Sequence, residues 1–93
     1  MLSLAPLDLS KLDKGGTDRE ILRLGIIAEL DAISLYEQLA AKAGNAKIRA
    51  VLAEIAREEK THVGEFQALL LELDKEQAGE LVKGKKEVEE LGR

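Results

Sequence analysis

Glu59-Lys60-Thr61-His62 sets a carboxylate and an imidazole three residues apart, which places both on one face of a helix. Glu29 stands thirty residues upstream. All three occupy positions where the surrounding apolar pattern calls for Leu or Ile. Carboxylates and a histidine in a helix core are costly unless something pairs with them, and a metal ion pairs with all three. Glutamate and neutral imidazole suit iron, manganese or zinc. The chain has no cysteine, which argues against a structural zinc site.

Two helices must carry these donors. Residues 1–16 read as an irregular lead-in closed by Gly15-Gly16. Thr17-Asp18-Arg19-Glu20 has the T-x-x-E form of a capping box, predicting a first helix from about Asp18 to Ala43. Gly44 suits a left-handed residue after that helix, and Asn45 can cap the next. The second helix is expected over about Ala46 to Leu73, so residues 17–73 form an antiparallel hairpin. Asp74-Lys75-Glu76-Gln77 repeats the capping pattern and opens a third, shorter helical segment over 74–93, which contains Gly79 and Gly84. Its apolar residues Ala78, Leu81, Val82, Val88 and Leu91 are too sparse for a core of their own. They predict packing against a partner or a lead into something beyond.

The first helix carries a stripe of Leu22, Ile26, Glu29, Ile33, Tyr36 and Ala40, spaced alternately by four and three. The second carries Ile48, Leu52, Ile55, Glu59, His62, Phe66 and Leu69 on the same alternation, the spacing of a four-helix bundle. Glu29 lies fifteen residues before Gly44 and Glu59 fifteen after it. At about 1.5 Å per residue both carboxylates stand roughly 22 Å from the turn, at one height. His62 lies less than one turn further along. A carboxylate-bridged di-metal centre needs a Glu from each of two helices and a Glu-x-x-His from each of two more, and one hairpin supplies half of that set. Two hairpins about a two-fold axis complete it, with the Glu59 pair free to bridge. Off the metal reading, a lone Glu-x-x-His is common on solvated helices, and these residues can equally set register in a structural dimerisation module.

Ninety-three residues allow one small domain, and a chain of that size usually needs disulfides, a metal or oligomerisation to hold it together. Without cysteine the first is excluded. A net charge of −4 with interspersed signs, and only Tyr36 and Phe66 as aromatics, argue against nucleic-acid binding. No apolar run reaches the roughly 20 residues of a membrane span, and the first residues lack a signal peptide's basic region. The expectation is a cytoplasmic, all-α protein. Tyr36 lies about two turns from Glu29 on the same stripe. A phenol there can hydrogen-bond beside an oxygen-handling metal or serve as a core aromatic. Asp31, Glu58 and Glu65 fall off the stripe and read as solvated surface that can guide cations inward.

The runs Ile26-Ile27-Ala28-Glu29-Leu30-Asp31-Ala32, Leu35-Tyr36-Glu37 and Arg57-Glu58-Glu59-Lys60-Thr61-His62-Val63-Gly64-Glu65-Phe66 resemble the encapsulated ferritins over about residues 18–75. The resemblance implies a two-helix half-ferritin that dimerises into a ferritin-like four-helix bundle. It also implies a di-iron ferroxidase centre, a decameric ring of dimers, and housing inside an encapsulin nanocompartment whose shell protein is the partner. Glu29, Glu59 and His62 match the iron ligands, Glu59 as the bridging carboxylate. Tyr36 matches a tyrosine beside the centre and Asp31 an acidic residue of an outer metal entry site. Ala28 stands where some members carry a second acidic residue of that site. Leu91-Gly92-Arg93 carries no recognisable shell-targeting tail, and in some relatives the domain is fused to the shell protein itself. A manganese catalase-like or rubrerythrin-like oxidoreductase, loaded with Mn or another divalent metal such as Zn, is the alternative on the same scaffold.

Overall fold

A computed structural model describes Ser10 and residues 13–92. Three helices account for most of them: α1 (Lys14–Lys42), α2 (Ala46–Leu73) and α3 (Lys75–Leu91). The all-α hairpin expected from the apolar spacing is what forms, and α2 has the expected limits.

The first helix starts earlier than its sequence suggests. Asp13 is its N-cap, with its carboxylate accepting from the Gly16 N–H at 2.6 Å. Thr17 does not cap; it lies within the helix, where its hydroxyl donates to the Asp13 carbonyl at 2.9 Å. The expected irregular lead-in over 1–16 therefore loses residues 14–16 to α1. The rest of it, apart from Ser10 and Asp13, lies outside the described residues. Asp is as good a cap as Thr, and Gly15-Gly16 disguised a first turn that a cap can still hold.

The turn also departs from expectation. Among the described residues no glycine has a positive φ, so Gly44 is not a left-handed cap. Ala43 leaves the helix in an extended conformation, its N–H still donating to the Leu39 carbonyl. Arg49 reaches back from α2 and donates to the carbonyls of Ala43 at 3.0 Å and Gly44 at 3.2 Å. Those contacts satisfy groups at a helix end that glycine-based caps usually satisfy by backbone alone. Asn45 caps α2 as expected, accepting from the N–H groups of Lys47 and Ile48.

Gly25 of α1 lies tightly against α2. A Cβ on Gly25 would lie 3.3 Å from the Phe66 ring, so the bare α1 backbone lets that ring sit against it. Within this single chain burial is thin. Ala56 at 2% and Leu70 at 6% exposure are the buried apolar side chains among the described residues, and the stripe positions are mostly half-buried. A two-helix hairpin has one shared face and little interior, so most of its apolar surface stays open.

One carboxylate joins α3 to the hairpin. Asp74 accepts from the Gln77 N–H at 3.0 Å, capping α3, while its second oxygen accepts from Arg23 of α1 at 3.0 Å. The Gln77 N–H, together with the Arg23 guanidinium, holds the Asp74 carboxyl below its ordinary value of 3.8. A carboxyl with a depressed pKa in the folded state stabilises above its unfolded value, and that contribution is lost as pH falls through the folded one. Amide-exchange protection at the start of α3 should thus be flat above about pH 4 and fall below it. In Asp74→Asn, which keeps an acceptor but has no titratable group, that acid-dependent loss should disappear.

Candidate metal centre

Glu29 comes from the middle of α1 and Glu59 and His62 from successive turns of α2. Each offers one ligand atom, and those atoms all lie within 4.8 Å of one another. Among the described residues this is the one group of three or more such side chains that gathers so closely. Equal counting from the Gly44-Asn45 turn brings the two carboxylates level, and the antiparallel pairing turns both inward.

His62 Nδ1 lies 3.5 Å from Glu29 Oε1 and 3.5 Å from Glu59 Oε2. Those separations are too long for strong hydrogen bonds. They are close to the spacing of ligands on one ion: donors each about 2.1 Å from a metal stand about 3.0–3.4 Å apart. Both carboxylates are largely covered, at 17% and 19% side-chain exposure, whereas the imidazole is 44% exposed. Glu29 Oε2 is buried and has no hydrogen-bond partner, the one such side-chain atom among the described residues. An orphaned carboxylate oxygen inside a helix pair is costly, and a cation satisfies it. The donor set therefore fits a divalent metal on chemistry and geometry alike.

The same orphaned oxygen gives a stability prediction. Glu29→Leu restores an apolar residue to the stripe and removes the unsatisfied group. In metal-free protein it should raise stability by about 1–2 kcal/mol, read by thermal unfolding. A drop of that size would mean that Glu29 holds the hairpin together by itself.

Tyr36 is half-buried on the α1 stripe, two turns from Glu29 toward the turn. Asp31 is on α1, and it is not in the three-residue cluster. Two residues correspond to about 200° around a helix, so Asp31 sits on the far side from Glu29. Lys60, next to Glu59 in sequence, points elsewhere and pairs with Glu37 of α1 at 2.9 Å, tying the helices together on the opposite side of the hairpin. Among the described residues the structure adds no further ligand-type side chain to the cluster. It does add an apolar surround that the stripe alone did not reveal.

That surround lies on the face through which His62 is exposed. A groove lined by Ile21, Leu22, Leu69 and Leu73, edged by Asp18 and Glu72, opens toward the hairpin's free end. A second, lined by Ile48, Val51, Leu52 and Lys47, opens near the turn. Ile21, Ile48, Val51 and Leu69 are all about half exposed. The three metal-competent side chains sit between two uncovered apolar grooves. No described helix is long and apolar enough to cross a membrane.

The family model described as Rubrerythrin matches residues 20–91. A ferritin-like-encapsulin shell fusion protein of Pyrococcus furiosus is 55% identical over 94 residues, covering 98% of this chain and 27% of that protein. An encapsulin nanocompartment cargo protein of Myxococcus xanthus is 42% identical over 65 residues, covering 67% of this chain and 50% of its own length. The chain thus spans between a quarter and a half of the length of these curated relatives. The crystal structure of the encapsulated ferritin domain from Pyrococcus furiosus matches with a TM-score of 0.84 and 53% identity, covering 98% of this chain and 95% of that one.

Proposed function

The chain belongs to the rubrerythrin family, among the encapsulated ferritins it resembles in sequence, and we propose that it is a ferroxidase whose substrate is Fe(II). The observation that carries this reading is the convergence of Glu29, Glu59 and His62 on one point, with a buried carboxylate oxygen left unpartnered. One chain supplies three donors, too few for two iron ions. The half-exposed His62 and the apolar grooves on either side of it support a second copy as the cover of that face. Two copies about a two-fold axis bring six donors together, and burial of Ile21, Leu69, Ile48 and Val51 drives the association.

In this arrangement Glu29 and His62 of each copy would together hold one Fe(II), with a carboxylate oxygen of the Glu59 pair within reach of either ion. Two Fe(II) would lose one electron each, and those two electrons with two protons reduce dioxygen to hydrogen peroxide, or hydrogen peroxide to two waters, leaving Fe(III) as the product. Carboxylates favour the higher charge of that product, while the apolar surround limits water at the site. Tyr36 supplies a phenol on the same stripe, and Asp31, on the other side of α1 from Glu29, is the residue the family resemblance assigns to an outer metal entry site. The relatives are a shell fusion and a nanocompartment cargo protein by name. Those names support an encapsulin shell in the cytoplasm as the compartment where the mineral collects, and the family resemblance implies a decameric ring of dimers within it. An open ring encloses no cavity, so storage depends on the shell.

Aerobic oxidation of Fe(II) by the purified protein, followed optically beside a protein-free control, tests this function. A rate well above the control, saturating at one iron per chain, is expected. A rate equal to the control, with peroxide removal by Mn(II)-loaded protein instead, would replace ferroxidase by the manganese catalase-like alternative.

A further inference from the structure

Gly25 stands in the body of α1, where glycine is a poor helix residue because its backbone loses more freedom on ordering than alanine's does. At Gly64, Gly79 and Gly84 an added Cβ would meet nothing within 4 Å. Gly25 differs. A Cβ there would lie 3.3 Å from Cδ2 and Cε2 and 3.4 Å from Cζ of Phe66, so one edge of the ring rests on bare α1 backbone.

That contact adjoins the metal-competent cluster on both helices. Gly25 is one turn before Glu29 on α1, and Phe66 one turn after His62 on α2. The helices are antiparallel, so both steps lead away from the Gly44-Asn45 turn. Glycine and ring therefore lie about 6 Å beyond the cluster, on its free-end side. On the side toward the turn, three residues before Glu59, Ala56 is 2% exposed. The cluster thus sits between two small residues, one on each helix. Its ligand atoms are divided between those helices as well, Glu29 on α1, Glu59 and His62 on α2. Any change in helix separation is then a change in the 3.5 Å between Glu29 Oε1 and His62 Nδ1.

We propose that Gly25 and Phe66 are a positioning pair, a spacer that fixes how far Glu29 stands from Glu59 and His62 and thereby the size of ion the cluster prefers. This role rests on the reading of the cluster as an iron site. Ligand atoms at neighbouring corners of an octahedron stand about 1.4 times the metal–ligand distance apart, so widening them by ~0.3 Å suits an ion whose bonds are ~0.2 Å longer. That step separates zinc, at about 2.1 Å, from the short end of the calcium range, at about 2.3 Å. A methyl group on Gly25 calls for a shift of that order, since at 3.3 Å the ring must give by a few tenths of an ångström. The ring is rigid and half-buried, so part of the shift passes to the two backbones. A given donor set ranks divalent ions by their own chemistry, and spacing is what a protein has to bias that ranking.

Metal-free wild-type and Gly25→Ala proteins, titrated with Zn(II) and separately with the larger Mn(II), test the spacer by calorimetry, with circular dichroism as the check on folding. Alanine favours helix over glycine, so Gly25→Ala should keep its helix content. Its affinity for Zn(II) should fall about tenfold and for Mn(II) by less, moving the ratio of the two by about threefold or more. Adding Phe66→Leu shortens the side chain that meets the new methyl and should bring the ratio back toward the wild-type value. A wild-type ratio in folded Gly25→Ala overturns the spacer, even where both affinities fall together, and so does a shift that Phe66→Leu leaves in place. Those outcomes leave the iron reading standing, because the wild-type protein still binds both ions. Wild-type protein that binds neither would overturn that reading and the spacer with it.

Discussion

Glu59→Ala should lower the rate of Fe(II) oxidation by more than about 100-fold while leaving helix content unchanged. Groups that merely support metal ligands cost about 10–100-fold when removed, so a carboxylate that ligates should cost more. In the proposed dimer each copy loses it, and the position that spans two ions is emptied twice. The hairpin should tolerate the change, because Glu59 makes no hydrogen bond among those described and only the 3.5 Å approach to His62. His62→Ala should follow the same course. Stopped-flow oxidation beside circular dichroism checks both at once. Full activity in folded Glu59→Ala would detach the chemistry from this cluster.

Leu69→Asp should separate the copies. Leu69 is 49% exposed in the single chain and lines the apolar groove beside the cluster. Covering the open half of a leucine contributes about 1–1.5 kcal/mol, and a two-fold interface repeats it. The loss is then about 2–3 kcal/mol, roughly 30- to 150-fold in the dissociation constant, before any cost of burying the new charge. Sedimentation at a series of concentrations reads that shift. Oxidation activity should fall in parallel at dilution and recover on concentration, because half a site lies on each copy. Activity that stays proportional to total chain at every dilution would mean that one hairpin suffices.

The sequence made the site legible because two periodicities agreed. Glu29, Glu59 and His62 sit in phase with Leu22, Ile26, Leu52 and Phe66, and equal counts from the turn set the carboxylates level. Both regularities follow from helix geometry alone, which tertiary packing seldom alters over two turns. Helix ends were harder to read, since a cap is one residue and several candidates compete. Thr17 had the better motif, but Asp13 had the position. At the turn, Gly44 looked conformationally necessary, but Arg49, five residues further on, satisfies the open carbonyls with its side chain. Long-range pairs such as Arg23–Asp74 and Lys60–Glu37 leave no local pattern at all. The sparse apolar residues of α3 pointed to a partner or to a lead into something beyond.

Diffraction from Fe(II)-loaded crystals, with anomalous data on both sides of the iron absorption edge, tests the central claim most directly. Two iron peaks should appear between paired copies, each within about 2.0–2.3 Å of Glu29 and His62 donors and both within reach of the Glu59 pair. An anomalous map with no iron beside Glu29, Glu59 and His62 in fully loaded protein would contradict it.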